Sequence, residues 1–221
     1  MSGAAAFLLA DGRFPSGGHA HSGGMEPAVR AGRVFDPASL QSFLDGRLAT
    51  TGLVLAGLAA AACSGVHDWE ALDAEADARV PSPALRLVSR GQGRQLLRSA
   101  VGIWDGPRLR GLQVATPAGP HHPVALGAAA AAAGLEPEEA ARIAAYGPTM
   151  AGAAGALRLL GLDPVDVHRL VADLAGEIDD VARRAALAAG GPLSALPCAG
   201  APQAEIWAEW HAGWEVRLFA S

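Results

Sequence analysis

Residues 82–104, Ser82-Pro-Ala-Leu-Arg-Leu-Val-Ser-Arg-Gly-Gln-Gly-Arg-Gln-Leu-Leu-Arg-Ser-Ala-Val-Gly-Ile-Trp104, decide the fold class. A serine followed by proline is a helix start. The hydroxyl accepts a free N–H of the first turn, and proline at the first helical position lacks only an N–H that had no partner. Beyond it, Leu85, Val88, Leu96, Leu97, Ala100, Val101 and Trp104 line one side of a helix. The same punctuation recurs at Asp36-Pro37, Glu136-Pro137 and Asp163-Pro164, with Glu136 the poorest cap. Breaks at Gly65, Gly106-Pro107, Gly161 and Gly190-Gly191-Pro192 close the runs.

This pattern predicts helices near 37–64, 83–104, 123–133, 137–160 and 164–189, and shorter ones near 22–31, 68–78 and 203–212. In the last long one Val167, Leu170, Val171, Leu174, Ile178, Val181 and Ala185 keep the 3–4 spacing. Its early Asp166 and Asp173 and late Arg183 and Arg184 suit the helix dipole. No stretch alternates apolar and polar residues long enough to read as a strand. The expectation is an all-α chain, a single compact multi-helix domain over residues 1–221, with 203–221 as its C-terminal tail.

Composition narrows the function. A chain of 221 residues can bury one substantial core, and half of it is hydrophobic, much of that alanine. A net charge of −5 argues against a nucleic-acid-binding surface. All 17 basic residues are arginines. That excludes a lysine Schiff base and a Walker-type phosphate loop. Cys63 and Cys198 are isolated, with neither zinc-site nor disulfide spacing, and Cys63 reads as a small core residue. The N-terminal stretch has no basic region and is interrupted by Asp11 and Arg13, so it does not read as a signal peptide. Leu48–Val66 is uncharged and long enough to span a membrane. Its Thr50, Thr51, Gly52, Gly57, Ser64 and many alanines favour a buried helix instead. The expected setting is cytoplasmic, with no membrane partner.

The stretch Pro15-Ser-Gly-Gly-His-Ala-His-Ser-Gly-Gly-Met-Glu26 holds four glycines, two histidines and two serines, and reads as a recognition loop. His19 and His21 are weak metal candidates, because imidazole suits nickel, copper and zinc but two histidines seldom complete a site. Hydrogen-bonding loop residues and partner contacts are the competing reading. His122, before Pro123, reads as a residue that orients its helix start. Ser16 and Ser22 lack a Gly-x-Ser-x-Gly elbow after a strand, and a phosphate cradle at Gly17-Gly18 lacks a preceding strand. With no activated nucleophile or acid/base pair, the chain does not read as an enzyme, and no tightly bound cofactor is expected.

Two further features point to contacts. Arg86, Arg90, Arg94 and Arg98 recur every four residues, a spacing that is mutually repulsive on an isolated helix. The stripe is a solvated face, meets acids of its own fold, or meets an acidic partner; the sequence leaves all three open. Trp207, Trp210, Trp214 and Leu218 fall on one stripe if the tail is helical, and tryptophan is a favoured interface anchor. Either the tail folds back on its own core, or it orders when a partner binds. Gly213 argues against one uninterrupted, stable helix.

These residues resemble a known family. Pro15–Glu26, preceded by Leu8-Leu-Ala-Asp11, is similar to the N-terminal signature of the urease accessory protein F family, P-x-G-x-(aromatic or His)-…-S-x-G-(L/M)-E. Gly93-Arg-Gln-Leu-Leu-Arg98, His122-Pro-Val-Ala-Leu-Gly127 and the terminal Arg217-Leu-Phe219 match in order. Two departures stand out: Arg158-Leu-Leu-Gly-Leu162 lacks a glutamine usual in relatives, and His19-Ala-His21 replaces a more usual aromatic.

The resemblance implies an all-helical, non-enzymatic maturation factor for nickel-dependent urease. Such a factor dimerises, binds the accessory D/H subunit, recruits the G-type GTPase, and helps deliver nickel to the urease apoprotein. Nickel is then a cargo in transit. Carried over by position, Pro15, Gly17, His21, Ser22, Gly24 and Glu26 form a partner-binding element, together with Arg94 and Arg98 on their helix. Arg217, Leu218 and Phe219 belong to the partner-binding tail, with Trp207, Trp210 and Trp214 as its anchors. A stand-alone helical nickel-binding protein is the alternative.

Overall fold

Small side chains at the helix contacts set the architecture. The computed structural model describes residues 3–16, 21–216 and 218–219; of the predicted site residues, Gly17, His19 and Arg217 lie outside these. The helices are α1 (Ala4–Ala10), α2 (Met25–Arg30), α3 (Pro37–Arg47), α4 (Leu53–Ser64), α5 (Trp69–Ala78), α6 (Pro83–Trp104) and α7 (Pro107–Ala115). They continue with α8 (His122–Ala132), α9 (Pro137–Leu160), α10 (Pro164–Asp173), α11 (Ala175–Ala188) and α12 (Pro202–Ala212). No strand occurs among the described residues, and the fold is all-α.

The predicted caps work as expected. Asp36, Ser82 and Asp163 accept N–H groups of Ser39, Leu85 and Val165. At the poorest one, the Glu139 side chain reaches back to the Glu136 N–H at 2.9 Å.

Helix α4 lies at the centre and packs against α8, α9 and α11. Its contact with α8 is backbone-close. A Cβ on Gly127 would sit 2.1 Å from the Ala59 carbonyl oxygen and 2.6 Å from the Ala62 methyl, so only glycine fits. Alanines 59–62 of α4 are at most 1% exposed. Two apolar clusters flank this axis. One gathers Leu58, Leu72, Leu96, Leu109, Leu112 and Val124; the other gathers Met25, Leu40, Leu44, Val167, Ile178 and Val181. The continuous helical stretch Pro37–Ser64 is long and apolar enough to cross a membrane by length and composition. Its α4 half is instead the inner wall of both clusters, the buried-helix alternative read from its small residues.

Four features depart from expectation. The 37–64 helix is continuous but contains a π-helical turn at Leu48–Gly52. The 164–189 helix is two helices: a break at Leu174 separates α10, which packs on α9 and α3, from α11, which runs along α9 and α4. Helices α1 and α7 were not foreseen. For α7, Gly106-Pro107 reads as a break in sequence, yet Pro107 is the first residue of the next helix.

Candidate functional site

The two regions singled out in sequence, the Pro15–Glu26 loop and the tryptophan-rich tail, meet at one carboxylate. Glu26 sits in the first turn of the short α2 and is 8% exposed. Its Oε2 accepts from His211 Nε2 at 3.0 Å and from the Phe219 N–H at 3.1 Å, and its Oε1 accepts the Leu218 N–H at 2.9 Å. Its own N–H goes to the Ser22 hydroxyl at 3.3 Å. Burial pushes the Glu26 carboxyl up, but the Leu218 N–H, His211 and the Phe219 N–H outweigh it and hold the group below the usual carboxylate range. Three donors on one buried carboxylate join residues 185 or more positions apart in sequence.

The rest of the loop is built around this point. Ser22 is fully buried, and Gly24 takes a left-handed backbone at φ +83° where the chain turns into α2. Pro15 is exposed, and its carbonyl accepts the Ser99 hydroxyl of α6 at 2.7 Å. His21 is half-buried and lies near His122; desolvation first, and then His21, bring the His122 imidazole down to about 4. The Arg47 guanidinium packs beside Gly24, and burial brings it down to about 10. Its Nε is the buried side-chain polar atom without a hydrogen-bond partner among the described residues. No group of three or more His, Cys, Asp or Glu that could hold a metal occurs among the described residues.

The tail is tethered at three levels. Arg79 donates to the carbonyls of Leu193, Leu196 and Pro197 at 3.1, 3.0 and 2.9 Å, fixing the segment before α12. Glu205 and Glu209 of α12 then cap α6, accepting the Ser82 N–H at 2.7 Å and the Ala84 N–H at 2.9 Å, with the Ser82 hydroxyl also on Glu209. Glu26 is the third tether.

The tail therefore lies against its own fold, but the tryptophans do not share one stripe. α12 ends at Ala212, with Gly213 as its cap. Trp207 is half-buried against the second apolar cluster. Trp210 is 47% exposed and edges onto Trp214, whose ring also packs against His211 and lies 4.1 Å from the Arg30 guanidinium carbon. Phe219 turns inward, 5.7 Å beneath Arg158, while Val216 and Leu218 point outward.

The arginine stripe divides. Arg86 donates to the carbonyls of Val80 and Pro81. Arg90 bridges Asp73 at 2.8 Å and Asp77 at 3.0 Å and donates to the Gly119 carbonyl. Arg94 is exposed and reaches only the Ala118 carbonyl, and Arg98 is exposed. Arg86 and Arg90 are thus half-buried among acids and carbonyls of their own fold, while Arg94 and Arg98 are exposed.

Sequence reasoning missed the network behind Arg90. His121 is 1% exposed; its Nε2 lies 2.8 Å from Asp77 and its Nδ1 3.0 Å from the Ser89 hydroxyl. Burial first, and Arg90 also, hold His121 below its ordinary value against the pull of Asp77. A carboxylate only accepts, so Nε2 carries the proton and Nδ1 accepts from Ser89. The Ser89 oxygen in turn accepts the His122 N–H at 3.1 Å, and Asp73 accepts the His121 N–H at 2.8 Å. The connectivity is that of a nucleophile–base–acid relay. However, the histidine is enclosed, and the serine is held mid-helix by the His122 N–H, so the set works as a staple between α5, α6 and α8. Its serine and aspartates lie 32 to 48 residues before His121, with no local signature to announce them.

The fold and site define a class: an all-α protein whose distinctive feature is a buried junction between its N-terminal loop and its C-terminal segment. The UreF family model matches residues 34–175. The chain is 44% identical over 213 residues to urease accessory protein UreF of Mycobacterium sp. (strain JLS), covering 96% of each chain. It is 42% identical over 225 residues to the protein of that name from Mycolicibacterium vanbaalenii, covering 100% of each. To that from Mycobacterium tuberculosis it is 40% identical over 184 residues, covering 80% of this chain and 82% of the relative. The chain belongs to the UreF family, and its role lies in urease maturation.

Proposed function

We propose that this chain is a non-enzymatic scaffold of urease maturation. It joins the accessory D/H subunit to the G-type GTPase, so that nucleotide state controls release of nickel into the urease apoprotein. The chain's lack of lysine supports this division of labour, because nucleotide chemistry of the Walker type must come from a partner. The observation that carries the reading is the junction at Glu26. It presents Trp210, Val216 and Leu218 outward on an already ordered tail, a surface suited to an apolar partner. Exposed Arg94 and Arg98, beside the loop, offer a second, cationic surface suited to an acidic one. The scaffold works as a homodimer in the cytoplasm. Nickel is cargo, and His19 and His21 are at most passing contacts for it.

Deletion of residues 207–221 is expected to abolish co-purification with the D/H subunit; retained binding overturns the tail-docking reading. Nickel titration of a variant carrying His19→Ala and His21→Ala tests the contact. Weaker nickel binding with impaired urease activation supports a role for these histidines, and intact activation removes it.

A further inference from the structure

Glu26 has almost no surface left to offer a partner. It is 8% exposed, and three donors from the tail occupy its carboxylate. An ionised carboxylate is acceptor-only, with room for about four hydrogen bonds, so it can satisfy three N–H groups at once. No neutral side chain of that length does so: a glutamine turns one of its two terminal atoms into a donor facing another donor.

What these bonds hold is short and otherwise lightly attached. After Gly213, Trp214 stacks with His211 and Arg30, and Phe219 is buried near Arg158, while Val216 and Leu218 are 79% and 74% exposed. Glu26 also ends the glycine-rich stretch, and its own N–H is bonded to the Ser22 hydroxyl.

We propose that Glu26 is the positioning residue of the C-terminal tail: its carboxylate holds residues 211–216, 218 and 219 in the shape that a partner meets, and does not itself touch that partner. Freeing the tail leaves its residues to be ordered at the moment of binding, which lowers affinity without removing any contact. The partner half of this inference rests on the scaffold reading above; the tail half does not.

The test uses the full chain and two variants that attack the junction from opposite sides. Glu26→Gln turns one of the two acceptor oxygens into a donor, and Leu218→Pro removes one donated N–H at an exposed position. Each is expected to speed hydrogen exchange of the Phe219 amide about tenfold or more, while amides of α4 and α8 keep their protection. The double variant is expected to exchange no faster than the faster single variant, because both remove the same junction. Affinity for the D/H subunit is expected to fall about tenfold in Glu26→Gln, equivalent to about 1.4 kcal/mol.

Unchanged Phe219 exchange in Glu26→Gln, or effects of the two variants that multiply independently, overturns the proposal. A loosened tail with unchanged D/H affinity overturns the partner half and leaves the scaffold reading standing. Failure of the unmodified chain to bind the D/H subunit overturns the scaffold reading and the partner half with it, and the exchange data still decide the tail half.

Discussion

The α4–α8 contact and the Glu26 junction are both buried, and they are held in opposite ways. At the first, two helices meet through glycine and alanine, and backbone atoms of one touch side chains of the other. At the second, a carboxylate collects hydrogen bonds from a segment that buries little apart from His211 and Phe219. Close packing is unforgiving of added volume, because no neighbouring side chain can move out of the way when the obstacle is backbone. A polar latch depends instead on charge and geometry, and leaves its segment able to exchange one set of partners for another. The centre of the molecule is thus held by close packing, and the end of the chain by hydrogen bonds to one carboxylate.

The largest effect expected is at the centre. Gly127→Val drives a branched side chain into the Ala59 carbonyl, and is expected to cost about 3 kcal/mol or more in urea unfolding. Near-normal stability would break the contrast, because it would mean that α8 can shift away from α4.

Acidity separates the two regions next. The His122 imidazole is held at about 4, below the ordinary value near 6.5, so between these values the unfolded chain binds more protons. Stability is therefore expected to fall as pH drops from about 6.5 toward 4, by up to about 3 kcal/mol from this group. The dependence should flatten in His122→Asn. Glu26 behaves differently: its folded value is lowered, so its contribution is present above the ordinary carboxylate range and is lost only as pH falls through the folded value. Tryptophan fluorescence near Trp214 is accordingly expected to hold over the interval in which urea stability falls. Release of the tail at pH 6 would show that Glu26 is not what holds it.

Arg90→Ala strips the cation from Asp73 and Asp77, whose His121 partner is buried. A loss of about 2 kcal/mol is expected, less than for a fully enclosed pair because Arg90 keeps some solvent contact. Arg98→Ala, in contrast, removes an exposed arginine and is expected to leave thermal stability within about 0.5 kcal/mol. The smallest stability change of all is expected for Trp210→Ala, with its main effect on binding to the D/H subunit, measured by titration calorimetry.

Much of the fold was legible residue by residue. Ser82-Pro83 and Asp163-Pro164 mark helix starts by local chemistry, a cap and a residue with no N–H to lose, and both stand where they were read. Leu174 was not legible as a break, because its spacing suits a continuing helix, and only the second partners of the two helices, α3 for α10 and α4 for α11, set them apart. The candidate site divides in the same way. The glycine density of the loop and the tryptophans of the tail announce themselves as two separate oddities. Nothing local says that Glu26 and Leu218 touch, or that Arg90 is spoken for while Arg98 is not.

Local chemistry in the chain settled the all-α class, most helix starts, the missing lysine and hence the missing Walker chemistry, and the family resemblance of Pro15–Glu26. These depend on neighbours a few residues apart, where caps, periodicity and composition act. Tertiary structure alone decided that loop and tail are one site, that the arginine stripe is half internal, and that His121 lies at the centre of a buried staple. Those facts depend on which distant groups the packing of α4 against α8 and α9 brings within hydrogen-bonding range, and that is a property of the assembled core.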